Sequence, residues 1–213
     1  MEFRKTKLTI LSILLFSLAS LVYAACLQDF YKPHPTIEQE DTPATPNITW
    51  DPESGHHEPA DCGGKIGDVV CNHTLNDHNE DEWQLYDHYG EIVVLDFSTM
   101  WCFPCQQSAS ELQLLQDFYE DRDVQFVTIL LQDFQGQIPN SGALKQWAAA
   151  FRLETVPVLG DDGTMNDSTE ERGFSIIALP TIVIIDRDRI IINKMDGWNL
   201  FRLLDQLDAL TSI

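Results

Sequence analysis

The stretch Trp101-Cys102-Phe103-Pro104-Cys105 decides how the rest of the chain is read. It follows the apolar run Ile92-Val93-Val94-Leu95-Asp96-Phe97. It precedes Gln106 to Tyr119, where Ala109, Leu112, Leu115 and Phe118 recur at helical spacing with Leu114 and Tyr119 flanking. A strand, a short loop and a helix are therefore expected, with two cysteines at the mouth of the unit. Backbone N–H groups and the positive dipole end at the helix start favour a thiolate on Cys102. The spacing brings Cys105 close enough to attack a mixed disulfide formed on Cys102. Pro104 suits the first helical turn, where its missing N–H costs nothing. A Cys-x-x-Cys by itself reads equally well as half a zinc site; the preceding strand and following helix favour a dithiol.

Outward from this unit, the chain has 213 residues, enough for one domain with appendages or two small domains. Its formal charge of -21, from 34 acidic and 13 basic residues, excludes nucleic acid and anionic membrane as primary partners. Five cysteines leave at least one with a task other than intramolecular pairing.

Residues 1–24 read as an export signal. Arg4, Lys5 and Lys7 form a basic start, and Leu8 to Val22 is an apolar run short for a membrane span. Val22-Tyr23-Ala24 supplies the small or apolar residues a signal peptidase reads, and an uncleaved anchor is the alternative. The next residues, Tyr23-Ala24-Ala25-Cys26, resemble a bacterial lipobox in which Cys26 is lipidated, although Tyr23 stands where an aliphatic is usual. A free cysteine beside an ordinary cleavage site is the competing reading. Residues 25–60 hold Pro33, Pro35, Pro43, Pro46, Pro52 and Pro59 among Thr, Glu, Asp and Asn with no apolar period, an extended acidic tether. His34, His56 and His57 lie in it and read as solvated linker rather than metal ligands.

The folded domain is expected over 61–213. Cys62 and Cys71 flank a glycine-rich turn, and in an oxidising compartment a structural disulfide between them is feasible. A zinc site of Cys62, Cys71 and His73 lacks a fourth ligand and regular spacing, so no metal is expected. Asp68 to Leu75 reads as a short strand, and Glu82 to Tyr89 as a short helix or turn ended by Gly90. Ile92 to Phe97 has the unbroken apolar character of a strand buried on both faces. Val124 to Leu131 is the second central strand. Ser141 to Leu153 reads as a helix capped by Ser141, with Leu144, Trp147, Ala148 and Phe151 on one face. Val156 to Leu159 is extended, and Asp161 to Glu171 is an acidic loop. Ala178-Leu179-Pro180-Thr181 leads into Ile182 to Asp186, and Arg187-Asp188-Arg189 turns the chain into a hairpin with Ile190 to Lys194. Trp198 to Leu210 closes as a helix burying Leu200, Leu203, Leu204, Leu207 and Leu210. This order argues an α/β fold, a mixed central sheet flanked by helices.

Trp-Cys-x-Pro-Cys, an acid six residues before the first cysteine, and Leu179-Pro180-Thr181 before a hairpin occur together. Through them residues 66–213 resemble the thioredoxin superfamily, in particular its exported, membrane-tethered TlpA/ResA-like and redoxin-type branch. The resemblance implies a thioredoxin-like fold with an insertion between the CxxC helix and the strand after Pro180. It implies Cys102 as nucleophile, Cys105 as resolving cysteine and a cis bond before Pro180. It also implies a substrate-binding face made by Trp101, Leu179, Pro180 and Thr181. Asp96, at the end of a buried strand, should have a raised pKa and exchange a proton with Cys105; a hydrogen-bonded structural Asp is the alternative. Gln106 stands where thioredoxins carry a basic residue, and Arg189 where relatives favour Gly.

The function these features imply is an exported thiol–disulfide oxidoreductase that reduces protein disulfides without a cofactor. It would be recharged by a membrane thiol donor, in a bacterial periplasm or cell envelope. Phe103 and Pro104 give the Cys102 sulfur no hydrogen bond or charge, so the couple should be reducing, at about -270 mV. A peroxiredoxin-like peroxidase is the main rival, because Thr99 stands three before Cys102; that family also wants a Pro where Leu95 stands. A Sco-type copper protein would want Cys-x-x-x-Cys and a downstream His, and the last histidine here is His88. A redox-inactive interaction module is the remaining class.

Overall fold

The computed structural model describes residues 59–211. The signal, Cys26 and nearly all of the tether lie outside the described residues. Strand β3 (Ile92–Thr99) is the centre of a five-stranded sheet ordered β5-β4-β3-β6-β7, where β4 is Val124–Gln132, β5 Val158–Gly160, β6 Thr181–Ile185 and β7 Ile191–Asp196. β3 runs parallel to β4, β4 is parallel to β5, and β6 and β7 are antiparallel to their neighbours, so the sheet is mixed. Every residue of β3 is buried, which explains its near-unbroken apolar sequence.

Alternation along the strands divides the core. Ile92, Val94, Phe126, Ile182 and Ile184 face one cluster, and Val93, Leu95, Phe97, Val127, Val183 and Ile185 face the other. Helices α1 (Phe103–Tyr119), α2 (Ser141–Phe151) and α3 (Leu200–Thr211) cover the first face through Ala109, Leu112, Trp147, Ala148, Leu203 and Leu207. The two parallel crossovers, β3-α1-β4 and β4-α2-β5, step the same way across the sheet, and the common handedness of such connections accounts for α1 and α2 lying on the same side. The second face is covered by an N-terminal segment with the ribbon β1 (Thr74–Asn76) and β2 (Glu82–Gln84) and a 3-10 turn at Leu85–His88. Met165 and Phe174 complete it. The insertion is α2 with the edge strand β5, followed by a long loop to Pro180.

Local differences from the sequence reading have local causes. Residues 68–71 form only isolated bridges, and the paired strand begins at Thr74, because Glu82–Gln84 is extended and offers it a partner. The cap of α2 is Asn140, whose side chain accepts from the Ala143 N–H at 3.1 Å; Arg152 in the left-handed region ends the helix. On α1 Phe118 is exposed and Tyr119 is buried. The Tyr119 hydroxyl donates to Asp208 at 2.8 Å, so the last turn faces α3 through Tyr119. Leu200, Leu204 and Leu210 are only partly buried.

A disulfide joins Cys62 to Cys71, with Cα atoms 4.9 Å apart. Both sulfurs are thereby unavailable as metal thiolates, and the His73 Nε2 lies 3.0 Å from the Arg172 carbonyl. The bridge ties the start of the domain to the segment crossed by residues 170–174. There Gly64 and Gly173 pass so closely that a Cβ on Gly64 would overlap the Gly173 oxygen. Closing a loop of this length should restrict the unfolded chain by roughly 2–3 kcal/mol. Replacing both cysteines with serine is expected to lower unfolding stability by about that amount in urea titrations; an unchanged midpoint would deny the bridge a stabilising role.

Candidate active site

The site is built at the C-terminal end of β3, where the chain leaves the sheet through Met100 and Trp101. Cys102 is the N-cap of α1 with extended backbone, and its Sγ accepts from the Cys105 N–H at 3.3 Å. The chain meets the helix with Pro104 in the first turn, so no donor is wasted where four N–H groups lack helical acceptors. Gln106 fixes the entry: its Nε2 donates to the Met100 carbonyl at 2.9 Å, and its backbone N–H to the Cys102 carbonyl at 3.1 Å.

Cys102 and Cys105 form a disulfide with Cα atoms 5.2 Å apart. Cys102 is 6% exposed and Cys105 fully buried, while their neighbours Trp101 and Phe103 are 53% and 76% exposed. One sulfur lies at the edge of an apolar surface and the other behind it. Of the two, Cys102 is the one a molecule approaching from solvent would meet, and Cys105 is sheltered behind it. The Trp101 Nε1–H donates to the Gln132 side chain at 3.1 Å, holding the indole against the end of β4.

Asp96 lies on the helix-facing side of β3 with no exposure. Its two carboxylate oxygens accept from the Ser98 hydroxyl at 2.9 Å and the Ser108 hydroxyl at 3.2 Å. Burial pushes its pKa up to about 7, and the two serine hydrogen bonds oppose that rise without cancelling it. No charged side chain contributes to the shift. Ser108 Oγ also lies 2.8 Å from the Cys105 carbonyl oxygen. With one hydroxyl proton it can donate to the ionised carboxylate or, when Asp96 carries the proton, accept from it and donate to that carbonyl. Asp96 is thus linked to the turn that carries Cys105 by a single buried hydroxyl.

The Leu179–Pro180 peptide bond is cis. The Pro180 carbonyl accepts from the Gly197 N–H at 2.7 Å, and the Thr181 hydroxyl donates within reach of the Ala178 carbonyl (2.9 Å) and Asp196 (3.1 Å). Thr181 opens β6 opposite Phe97, so this segment sits beside the end of β3. Trp101 and Leu179 line one cleft together with Thr99 and Gln132. The Cys62–Cys71 bridge is not part of this cleft; Cys62 and Cys71 approach Arg172 and Glu171 instead. Among the described residues no group of three or more His, Cys, Asp or Glu is placed to hold a metal ion, and no helix is long and apolar enough to cross a membrane.

Sequence reasoning overlooked Ser98, Ser108 and Gln132. Two of them had a signal. Ser98 is two residues after Asp96 on a strand, hence on the same face, and Ser108 is the polar residue on the helix stripe of Cys105, Ala109 and Leu112. Gln132 carried none, because its role depends on the register of β4.

The AhpC/TSA family profile matches residues 66–194. Thiol-disulfide oxidoreductase ResA of Bacillus cereus is 27% identical over 133 residues, covering 62% of this chain and 70% of the relative. Thioredoxin-like protein YneN of Bacillus subtilis (strain 168) is 24% identical over 129 residues, covering 61% and 70%. Among solved structures, a putative thiol:disulfide interchange protein DsbE from Chlorobium tepidum superposes with a TM-score of 0.59 at 23% identity, over 70% of this chain and 99% of that one. The exposed lipoprotein thioredoxin of Streptococcus pneumoniae strain TIGR4 does so with a TM-score of 0.55 at 20% identity, over 66% and 100%. The fold, the dithiol at the helix start and the profile agree: the chain belongs to the AhpC/TSA family and is a thioredoxin-like oxidoreductase of the ResA/TlpA-like kind.

Proposed function

We propose that this protein is an exported reductase of protein disulfides, working through a mixed disulfide on Cys102. The observation that carries this reading is the asymmetry of the pair: Cys102 at the surface edge of a helix N-terminus, Cys105 fully buried behind it. In the reduced protein the Cys102 thiolate attacks one sulfur of a substrate disulfide. A bond forms to that sulfur and the other leaves as a thiolate. Cys105 gives its proton to Asp96 and attacks the Cys102 sulfur, which releases the second substrate thiolate and leaves the Cys102–Cys105 disulfide. Two electrons pass to the substrate, and a thiol donor at the membrane returns them. An extended substrate segment lies against the exposed Trp101 and the half-buried Leu179, while Pro180 and Thr181, both buried, shape the backbone beside it.

Export rests on residues 1–24, and anchoring on the Tyr23-Ala24-Ala25-Cys26 pattern. A lipidated Cys26 followed by the proline-rich 27–60 stretch would hold the domain off the membrane, in a periplasm or cell envelope. Recovery of a soluble, unacylated mature protein would remove the anchor.

A second reading, a thiol peroxidase, is favoured by the family profile and by Thr99, whose buried hydroxyl has no hydrogen-bond partner among the described residues. Leu95, where peroxiredoxins carry Pro, weighs against it. Rapid mixing of the reduced protein with a disulfide-bonded protein or with hydrogen peroxide separates the two. The disulfide should oxidise Cys102–Cys105 much the faster. Peroxide consumption well above that of a free thiol, with slow disulfide reduction, would reverse the assignment.

A further inference from the structure

Beside the dithiol a cleft of about 430 Å³ opens between the end of β4 and the loop that leads to Pro180. One flank is apolar: Trp101, Ile138, Ile177 and Leu179 line it, and Ile138 and Ile177 are 62% and 85% exposed. The other flank carries Asp161 and Asp162. No lysine, arginine or histidine is among the lining residues.

Both carboxylates are held in place by the loop. Asp161 is buried and accepts from the Met165 and Asn166 N–H groups at 2.9 and 3.1 Å, and the exposed Asp162 accepts from the Thr164 N–H at 3.1 Å. Asp162 also borders an adjoining cleft of about 390 Å³, where Asp167 and Glu171 stand with His73 and one cation, Arg172. Negative charge is therefore continuous from the wall of the first cleft outward, on a chain whose net charge is already -21. Apolar surface beside fixed negative charge suits a segment that is itself apolar and cationic.

We infer that this cleft selects the substrate: it takes the residues flanking the substrate's cysteine when they combine a bulky apolar side chain with lysine or arginine. Trp101 and Leu179 belong both to this cleft and to the proposed substrate face, so a segment with its disulfide at Cys102 can continue into it. The apolar side chain lies against Trp101, Ile138 and Ile177, and the cation meets Asp162. This inference rests on the disulfide-reductase reading and adds to it the chemistry of the partner.

The test uses two disulfide-bonded peptides, identical except that Leu-Lys-Lys or Leu-Glu-Glu follows the cysteine. Each is reduced by the full-length reduced protein at low salt. The lysine peptide should have a kcat/KM at least roughly tenfold the higher, falling toward parity at high salt. Asp162→Lys should bring the ratio close to one. Asp162→Asn, which keeps an acceptor for the Thr164 N–H, should lower it part of the way. Asp205→Lys on α3, outside the lining, changes net charge equally and should leave the ratio intact. Equal rates for both peptides would overturn the cleft's role while leaving disulfide reduction standing. So would equal effects of the Asp162 and Asp205 substitutions to lysine. If neither peptide is reduced, the reductase reading falls and this inference with it.

Discussion

Replacing Cys105 with serine should arrest the protein as a mixed disulfide on Cys102, whereas replacing Cys102 should abolish exchange altogether. The difference follows from burial. Cys105 is fully enclosed, so without Cys102 no substrate sulfur can reach the site, while Cys102 at the edge can still be joined to a substrate. Without the resolving thiol, release must await an external thiol. Mass spectrometry of Cys105→Ser incubated with a disulfide-bonded protein should find one substrate chain on Cys102, and turnover of either variant should fall by several orders of magnitude. A trapped adduct on Cys62 or Cys71 instead would reassign the nucleophile.

The second large effect belongs to Asp96, and it has opposite signs for rate and stability. Its folded-state pKa of about 7 lies above the ordinary value of 3.8. Between those limits the folded protein holds a proton that the unfolded chain has lost, so stability falls as pH rises from about 4 to about 7 and then levels. Asp96→Asn removes that fall. The variant should gain on the order of 4 kcal/mol at pH 8 relative to the native protein and little at pH 4. The resolution step loses its proton acceptor and should slow by about 100-fold, with the inflection near neutrality gone from its pH profile. A variant no more stable at pH 8 and equally fast would make Asp96 a structural residue held by Ser98 and Ser108.

The fold was legible where apolar runs are long. Ile92 to Phe97, Val124 to Leu131 and Ile182 to Ile185 cannot be solvated, and the helical stripe after Cys105 must lie on them. Reading failed where partners outside the local sequence decide. Glu82–Gln84 is extended because Thr74–Asn76 pairs with it and Trp83 packs into the core between its two polar neighbours. The choice between Phe118 and Tyr119 depended on Asp208, 89 positions away from Tyr119. In the site, Cys102, Cys105 and Asp96 lie on one strand–helix unit and so were near each other in the sequence. The Ser108 bridge follows only once the helix phase is known, and the acidic cleft wall only once the 161–177 loop is folded back beside Trp101.

The proposed reductase function requires Cys102–Cys105 to be a reducing couple. Phe103 and Pro104 offer the Cys102 sulfur no stabilising group, leaving the Cys105 N–H and the helix terminus as its support. Equilibrating the protein against a glutathione redox buffer, with Trp101 fluorescence as the reporter, tests this most directly. A midpoint near about -270 mV is the result predicted; a midpoint above roughly -180 mV would make the protein an oxidase or isomerase and contradict the account.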